Sequence, residues 1–204
     1  MKKVPIDFAP ISRENVGQLR KLHAASFPVQ YNSSFYDEAV ERSTEGLNKF
    51  ALWRGIVLGA VCCRIENMED GLQGRRVYIM TLCVEAPYRG RGIGTQLIES
   101  VLDSCDRLGD IREVALHVQV SNKDAIRFYT DRFDFIQGPM VENYYQRIDP
   151  PHCYLLFRKL HPKDQWWLGI ESFLLRSTVL LRCNTTFIQH NYFGPHQSGF
   201  VILQ

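Results

Sequence analysis

Apolar positions change their period several times along the chain, and each change marks an element. Residues 4–8 alternate and stop at Pro10, the pattern of a short strand. Ser12 precedes residues 15–27, where Val16, Leu19, Leu22 and Phe27 fall near helical spacing, and Pro28 ends that helix. Residues 35–40 predict a second, short helix. Lys49–Trp53 and residues 56–65 flank Arg54-Gly55 as the two arms of a hairpin. A polar loop over 67–74 leads into a long β-rich run, Arg75–Val84, closed by Pro87. Leu97, Ile98, Val101, Leu102 and Cys105 predict the next helix, and residues 113–120 the next strand. Ala125, Ile126, Phe128 and Tyr129 place a helix over 124–132. A strand starts over 133–136, and residues 153–157 form the last one. The order β, α, α, β, β, β, α, β, α, β, β predicts an α/β domain.

Composition narrows the class. The 204 residues suffice for one domain with an appendage. With 45% apolar and 23% charged residues, wholesale disorder, collagen and a multi-span membrane protein are excluded. Lys plus Arg number 24 against 22 Asp plus Glu, which gives no electrostatic case for nucleic acid. The six cysteines form no CxxC and no zinc-finger spacing with His. Residues 1–15 lack the apolar core of a secretory signal, so a reducing, intracellular compartment is expected. The sequon at Asn184 then carries little weight.

After His161 the character changes. Trp166, Trp167, Ile170, Phe173, Leu174, Leu180 and Leu181 are densely apolar, and beyond Cys183 the pattern decays. The expected division is a domain over 1–160 and an extension over 161–204 of unknown role. Residues 166–181 fit an amphipathic helix, followed by disorder. Glu171 and Arg176 make that stretch too charged and too short to span a bilayer. It could lie on a membrane surface or pack on the domain.

The turn after the long run is chemically distinctive. Arg89-Gly90-Arg91-Gly92-Ile93-Gly94 runs from a strand into a helix. Glycines let backbone N–H groups approach an anion with no Cβ between. The helix N-terminus adds partial positive charge and unpaired donors. Arg89 and Arg91 add full charges. The spacing is neither a Walker motif nor the dinucleotide fingerprint GxGxxG. Alone, it fits a phosphate cradle and a tight strand–helix connection equally well.

Its neighbours make it more specific. Arg89-x-x-Gly92-x-Gly94 resembles the acetyl-CoA pyrophosphate signature of the GCN5-related N-acetyltransferase (GNAT) superfamily. Asn122-x-x-Ala125-x-x-Phe128-Tyr129 resembles the second signature of that superfamily. Phe27-Pro28-Val29-Gln30-Tyr31-Asn32, Tyr78-Ile79-Met80-Thr81-Leu82, Leu116-His117-Val118-Gln119 and Asn143-Tyr144-Tyr145-Gln146-Arg147-Ile148 are similar to the family of the catalytic subunit of N-terminal acetyltransferase E, NatE. The resemblance covers residues 6–160. It implies the GNAT fold, a mixed central sheet of about seven strands with flanking helices.

The resemblance also implies acetyl-CoA as the donor and no metal. Backbone groups of Leu82, Cys83 and Val84 would pair with the pantetheine as an added strand would. Arg89, Gly90, Arg91, Gly92, Ile93, Gly94 and Thr95 would hold the pyrophosphate, while Asn122, Ala125 and Tyr129 would border the coenzyme arm and its sulfur. Acetyl transfer to an amine needs the amine neutral and its proton removed. His117, on a strand, has an ordinary pKa suited to a base near neutral pH, and by itself it reads equally as a hydrogen-bonded core residue. The resemblance implies that His117 and Tyr78 order a water that takes the amine proton. Tyr78 and Met80 share a strand face by period two, and the resemblance sets Met80 against the acceptor.

Phe27, Pro28, Val29 and Tyr31 sit on a loop where exposed aromatics are expected. The resemblance implies that they form one wall of a groove for a peptide N-terminus, and that Tyr144, Tyr145 and Ile148 form the other. An apolar slot suits an initiator Met, and the scarcity of acidic residues in these motifs argues against polybasic tails. Cys83 stands where close relatives carry Gly. It is not read as a nucleophile, because the resemblance implies direct transfer in a ternary complex. Relatives carry Tyr-x-x-x-Gly-Phe after the second signature. Here the stretch from Tyr129 to Phe135 is one residue longer, with Asp134 at the Gly.

The expected function is acetylation of the α-amino group of Met-starting polypeptides, nascent or free. A cytoplasmic and also nuclear location is expected, with the NatA complex at the ribosome as candidate partner. Two other readings stand beside it. One is an enzyme of the same fold acting on lysine side chains or at the Golgi surface, to which residues 166–181 lend weight. The other is a coenzyme-binding subunit without activity, against which the presence of both Tyr78 and His117 counts.

Overall fold

The computed structural model describes residues 4–68, 74–146, 148–160 and 200–201. The elements are β1 (Asp7–Pro10), α1 (Val16–Ser26), α2 (Ser33–Glu41), β2 (Lys49–Trp53), β3 (Ile56–Asn67), β4 (Arg75–Val84), α3 (Ile93–Leu108), β5 (Ile111–Gln119), α4 (Lys123–Phe133), β6 (Ile136–Val141), β7 (Cys153–Lys159) and the short β8 (Phe200–Val201). Seven strands run in the order β1-β2-β3-β4-β5-β7-β6, and β8 pairs with β4 outside that path. Within the path, neighbours are antiparallel except β4 and β5. This is the mixed α/β sheet that the sequence predicts.

β4 is buried from Val77 to Val84, because helices cover both faces of the sheet. Leu19 and Leu22 of α1 and Phe35 and Tyr36 of α2 pack with Tyr78 and Met80 on one face. Leu97 and Val101 of α3 and Ala125 and Tyr129 of α4 pack with Val77, Ile79 and Leu82 on the other.

Local chemistry sets the boundaries. Arg54 (φ 51°) and Gly55 (φ 78°) are both left-handed, the signature of a primed hairpin turn between β2 and β3. α1 ends where Phe27 turns extended (φ −117°, ψ 142°), as the residue before a proline prefers. α2 starts before the apolar pattern because Asn32 Oδ1 accepts the Phe35 N–H at 3.0 Å and caps it.

Two expected boundaries move. The first strand lies at Asp7–Pro10 rather than 4–8, pairing with β2 at the sheet edge, where a proline is tolerated. The strand expected from 133 begins at Ile136, since α4 runs on through Phe133. There Asp134 adopts the left-handed conformation (φ 55°, ψ 32°), and both its N–H and that of Phe135 point to the Tyr129 carbonyl. The acidic residue thus makes the left-handed, helix-ending turn that glycine most often makes.

One irregularity shapes the centre of the sheet. Ile79 pairs with Cys63 and Thr81 with Cys62, so Met80 is an extra residue, a β-bulge. The β4–β5 ladder stops at Tyr78 opposite Ala115, whereas β5 continues against β7 as far as Gln119 opposite Cys153. A bulge bends and twists its strand, and the two strands part from this point. β8 runs parallel to β4 opposite Thr81 and Leu82, near β5, and so lies in the gap. The helix expected over 166–181 lies outside the described residues.

Candidate active site

The bulge decides which side chains of β4 meet. Tyr78 and Met80 face α1 and α2, as period two requires, and the extra residue lets Thr81 face them too. Opposite, on β5, His117 lies just past the last β4–β5 pair. Tyr78 Oη is 2.9 Å from His117 Nδ1 across the opening. The Tyr144 ring stacks on the His117 ring at 4.3 Å and 19°, and its hydroxyl lies 3.3 Å from Tyr78 Oη. Tyr144 is brought there by the loop between β6 and β7. That loop is tied down by the Gln119 amide donating to the Pro150 carbonyl at 2.8 Å and by the Tyr145 N–H donating to the Pro151 carbonyl at 2.8 Å.

Burial sets the protonation of the pair. Desolvation, with a smaller push from Arg76, brings His117 down to about 4, so the imidazole is neutral at physiological pH. Desolvation pushes the Tyr78 phenol well above its ordinary value, and the Tyr144 hydroxyl adds to that. The two rings share one hydrogen bond as neutral groups. Each retains a further polar position, Nε2 on the imidazole and a lone pair on the phenol oxygen.

Sequence reasoning missed the polar ladder beside this pair. The Arg64 guanidinium lies over the Tyr78 ring, 4.6 Å from its centroid. Glu66 joins Arg64 at 2.6 Å and Arg76 at 2.9 Å, and Arg76 reaches Glu113 at 3.5 Å. The signal was available: Arg76 lies two residues before Tyr78, and Glu113 lies four before His117, so period two puts all four on one face.

The residues expected to bind the acceptor fall into two groups. Phe27, Val29 and Tyr31 belong to the apolar cluster that contains Tyr78 and Met80. Phe27 is buried rather than exposed, and Tyr31 is half-buried, because both rings pack on His23 with centroids 5.1 Å away; Pro28 stays exposed. Tyr144 and Tyr145 meet edge to face at 4.9 Å on the other side, and Ile148 is half-buried beyond them. Burial raises the Tyr145 phenol well above its ordinary value, and Cys153, Tyr144 and Tyr31 add to that.

The residues expected to bind the coenzyme lie along β4, at the start of α3 and on α4. Leu82, Cys83 and Val84 are buried along β4, and β8 takes part of the edge expected for pantetheine. Gly92 (φ 78°) is the N-cap of α3, where no side chain caps the helix, leaving its first N–H groups to an anion. Ile93 and Gly94 are buried beneath it, with Gly90 and Thr95 at the rim. Arg89 Nε donates to the Val84 carbonyl at 3.0 Å, and Arg91 lies over the Tyr88 ring at 5.6 Å. Asn122 caps α4 by accepting the Ala125 N–H at 3.1 Å. Tyr129 is fully buried, and its hydroxyl has no hydrogen-bond partner among the described residues. An orphaned buried hydroxyl is costly, and it fits a site completed by a ligand atom. Cys83 is no nucleophile: it is fully buried, and desolvation holds its thiol protonated. Among the described residues no group of three His, Cys, Asp or Glu side chains could hold a metal ion.

A sequence model described as the acetyltransferase (GNAT) family matches residues 16–135. The chain belongs to that family. It is 40% identical over 160 residues to the probable N-acetyltransferase san of Drosophila melanogaster, covering 78% of this chain and 84% of that protein. It is 39% identical to N-alpha-acetyltransferase 50 of Danio rerio, covering 76% of this chain and 89% of that protein. Among solved structures it is similar to Arabidopsis thaliana Naa50 in complex with the bisubstrate analogue CoA-Ac-MVNAL, with 40% identity, a TM-score of 0.69, and 76% of this chain covering 99% of that one. Arabidopsis thaliana NAA60 in complex with acetyl-CoA is more distant, at 27% identity and a TM-score of 0.66, with 76% of this chain covering all of that one. This GNAT protein is an acyltransferase, and acetyl-CoA is its donor.

Proposed function

We propose that this acetyltransferase moves acetyl from acetyl-CoA directly to the α-amino group of Met-starting polypeptides, with Tyr78 and His117 ordering the water that takes the amine proton. The observation that carries the reading is the 2.9 Å contact between Tyr78 Oη and His117 Nδ1, at the mouth of the β4–β5 gap and beside Met80. Acetyl-CoA supplies an acyl group on a thioester. The chain's own residues do the rest. Phe27, Val29, Tyr31 and Met80 offer an apolar slot for a methionine side chain. Tyr144 and Tyr145 close the other side and keep bulk water from the amine. An imidazole with a pKa of about 4 holds a proton only briefly, so the amine proton leaves through water; as the C–N bond forms, the thioester C–S bond breaks and the departing CoA sulfur takes up a proton from water. The similar Arabidopsis protein was solved with an analogue whose peptide letters begin with methionine, which supports the same acceptor here. The contact of Tyr78 with His117 also speaks against a subunit that only binds coenzyme.

Nascent or free polypeptide N-termini are the partners this reading requires. Association with the NatA complex and a cytoplasmic and nuclear location extend it, and rest on the family resemblance. The test is a kinetic screen of peptides with different first residues, including one with a blocked N-terminus and an internal lysine. Turnover on Met-starting peptides, with none on the blocked peptide, is expected. The reverse preference would refute the reading. In the same assay, Phe27→Ala and Tyr145→Ala should raise the peptide KM while leaving that for acetyl-CoA unchanged.

A further inference from the structure

The apolar face of α1 carries one polar side chain, His23, at helical spacing from Leu19, and all three of Leu19, Leu22 and His23 are buried. His23 is 1% exposed and ringed by aromatics, with Phe27, Tyr31, Phe35 and Tyr36 centroids at 5.1, 5.1, 5.6 and 5.8 Å. Burial brings its pKa down to about 3, so the ring is neutral. Nε2 lies 3.3 Å from Thr81 Oγ1, and Nδ1 has no partner among the described residues. An orphaned buried N–H is rarer than an orphaned lone pair. The ring therefore carries its proton on Nε2 and donates it to Thr81.

Thr81 is the residue that follows the bulge. It is fully buried, and its hydroxyl also meets the Cys62 thiol, on the residue it pairs with across β3. Without the bulge, Thr81 would face α3 and α4. The hydrogen bond to His23 favours the bulged register, which brings Met80 and Thr81 together onto the acceptor face. We infer that His23 and Thr81 are a positioning pair: their hydrogen bond fixes the bulge at Met80, and with it the floor of the acceptor slot against the wall carried by α1. The inference rests on the N-terminal acceptor reading above and deepens it. Neither residue needs to touch the reacting atoms.

The full chain is assayed as wild type, Thr81→Val, Thr81→Ser and His23→Leu, with peptides starting Met and Ala. Thr81→Val keeps the shape and removes the hydroxyl. A buried hydrogen bond of ordinary strength corresponds to about a tenfold effect. Thr81→Val and His23→Leu should each raise the KM for the Met peptide about that much and reduce the preference for Met over Ala, with the acetyl-CoA KM unchanged. Thr81→Ser, which restores the hydroxyl, should restore the wild-type KM. If the hydroxyl served stability alone, its removal would lower the melting temperature and leave the peptide KM untouched below it, and that result overturns the inference. Should His23→Leu fail to fold, the Thr81→Val and Thr81→Ser comparison decides. Wild-type chain inactive on every Met-starting peptide would instead overturn the acceptor reading, and the inference with it.

Discussion

Tyr78 and His117 meet at 2.9 Å across the point where β4 and β5 separate, and the last backbone pair between those strands is Tyr78 opposite Ala115. The same separation that opens the gap between β4 and β5 thus brings a phenol and an imidazole together at its mouth. If both hold one water, their removal is not additive. Tyr78→Phe and His117→Ala should each lower kcat by ~10²-fold or more. The double variant should lose little beyond the worse single one. Steady-state kinetics of the three variants checks this; a multiplicative loss would show that the residues act separately.

The pH dependence follows from the buried imidazole. His117 stays neutral down to about 4, and the Tyr78 phenol keeps its proton past its ordinary range. Neither titrates between about 5 and 9. The amine must be neutral to attack, so kcat/KM should fall tenfold per unit below the acceptor's own pKa, about 7.7–8.0 for an ordinary α-amine. The acid limb should move when the peptide's amine pKa is changed. A limb fixed near 6.5 for every peptide would point to a titrating histidine.

Most of the sheet was legible in the sequence because alternation and helical spacing are local. Arg54-Gly55, Pro28 and the apolar run over β4 each leave a signature within a few residues. The bulge at Met80 is not local. It is a one-residue offset between two strands, and either strand alone looks regular. His23 passed unread among the apolar positions of α1, and its partner Thr81 could be found only once the bulge was known. β8 is a pairing of two residues with a strand over a hundred positions earlier, which no local pattern reports.

Buried neutral histidines also make the protein sensitive to acid. Folding holds His23 near 3 and His117 near 4, whereas both rise to about 6.5 when the chain unfolds. Below that value the unfolded state binds more protons, so stability falls as pH falls. The loss is about 1.4 kcal/mol per histidine per pH unit, and it continues until the folded-state values are reached. The denaturation midpoint should therefore drop steeply from pH 6 to 4. His23→Gln should flatten that slope by roughly one histidine's share. An unchanged slope would mean that His23 is not held neutral by the fold.

The last expectation concerns the C-terminal strand. Phe200 and Val201 pair with Thr81 and Leu82, and Leu82 is among the residues expected to pair with pantetheine. A strand edge offers each N–H and C=O group once, so tail and coenzyme compete for this edge. β8 is only two residues long, and a backbone hydrogen bond contributes about 0.5–1.5 kcal/mol net. The competition is therefore modest. Acetyl-CoA affinity is reduced by the fraction of molecules with an open edge, a factor of about three to ten. Val201→Pro cannot complete the ladder, so it should tighten acetyl-CoA binding by that factor in a calorimetric titration of the full chain. In the unaltered chain, saturating coenzyme should speed hydrogen exchange at the Phe200 and Val201 amides. A chain ending at Leu160 should keep its peptide acetylation, since every candidate site residue lies before it. Equal affinity in Val201→Pro and wild type, with exchange unaffected by coenzyme, would mean that the tail does not contend for the slot.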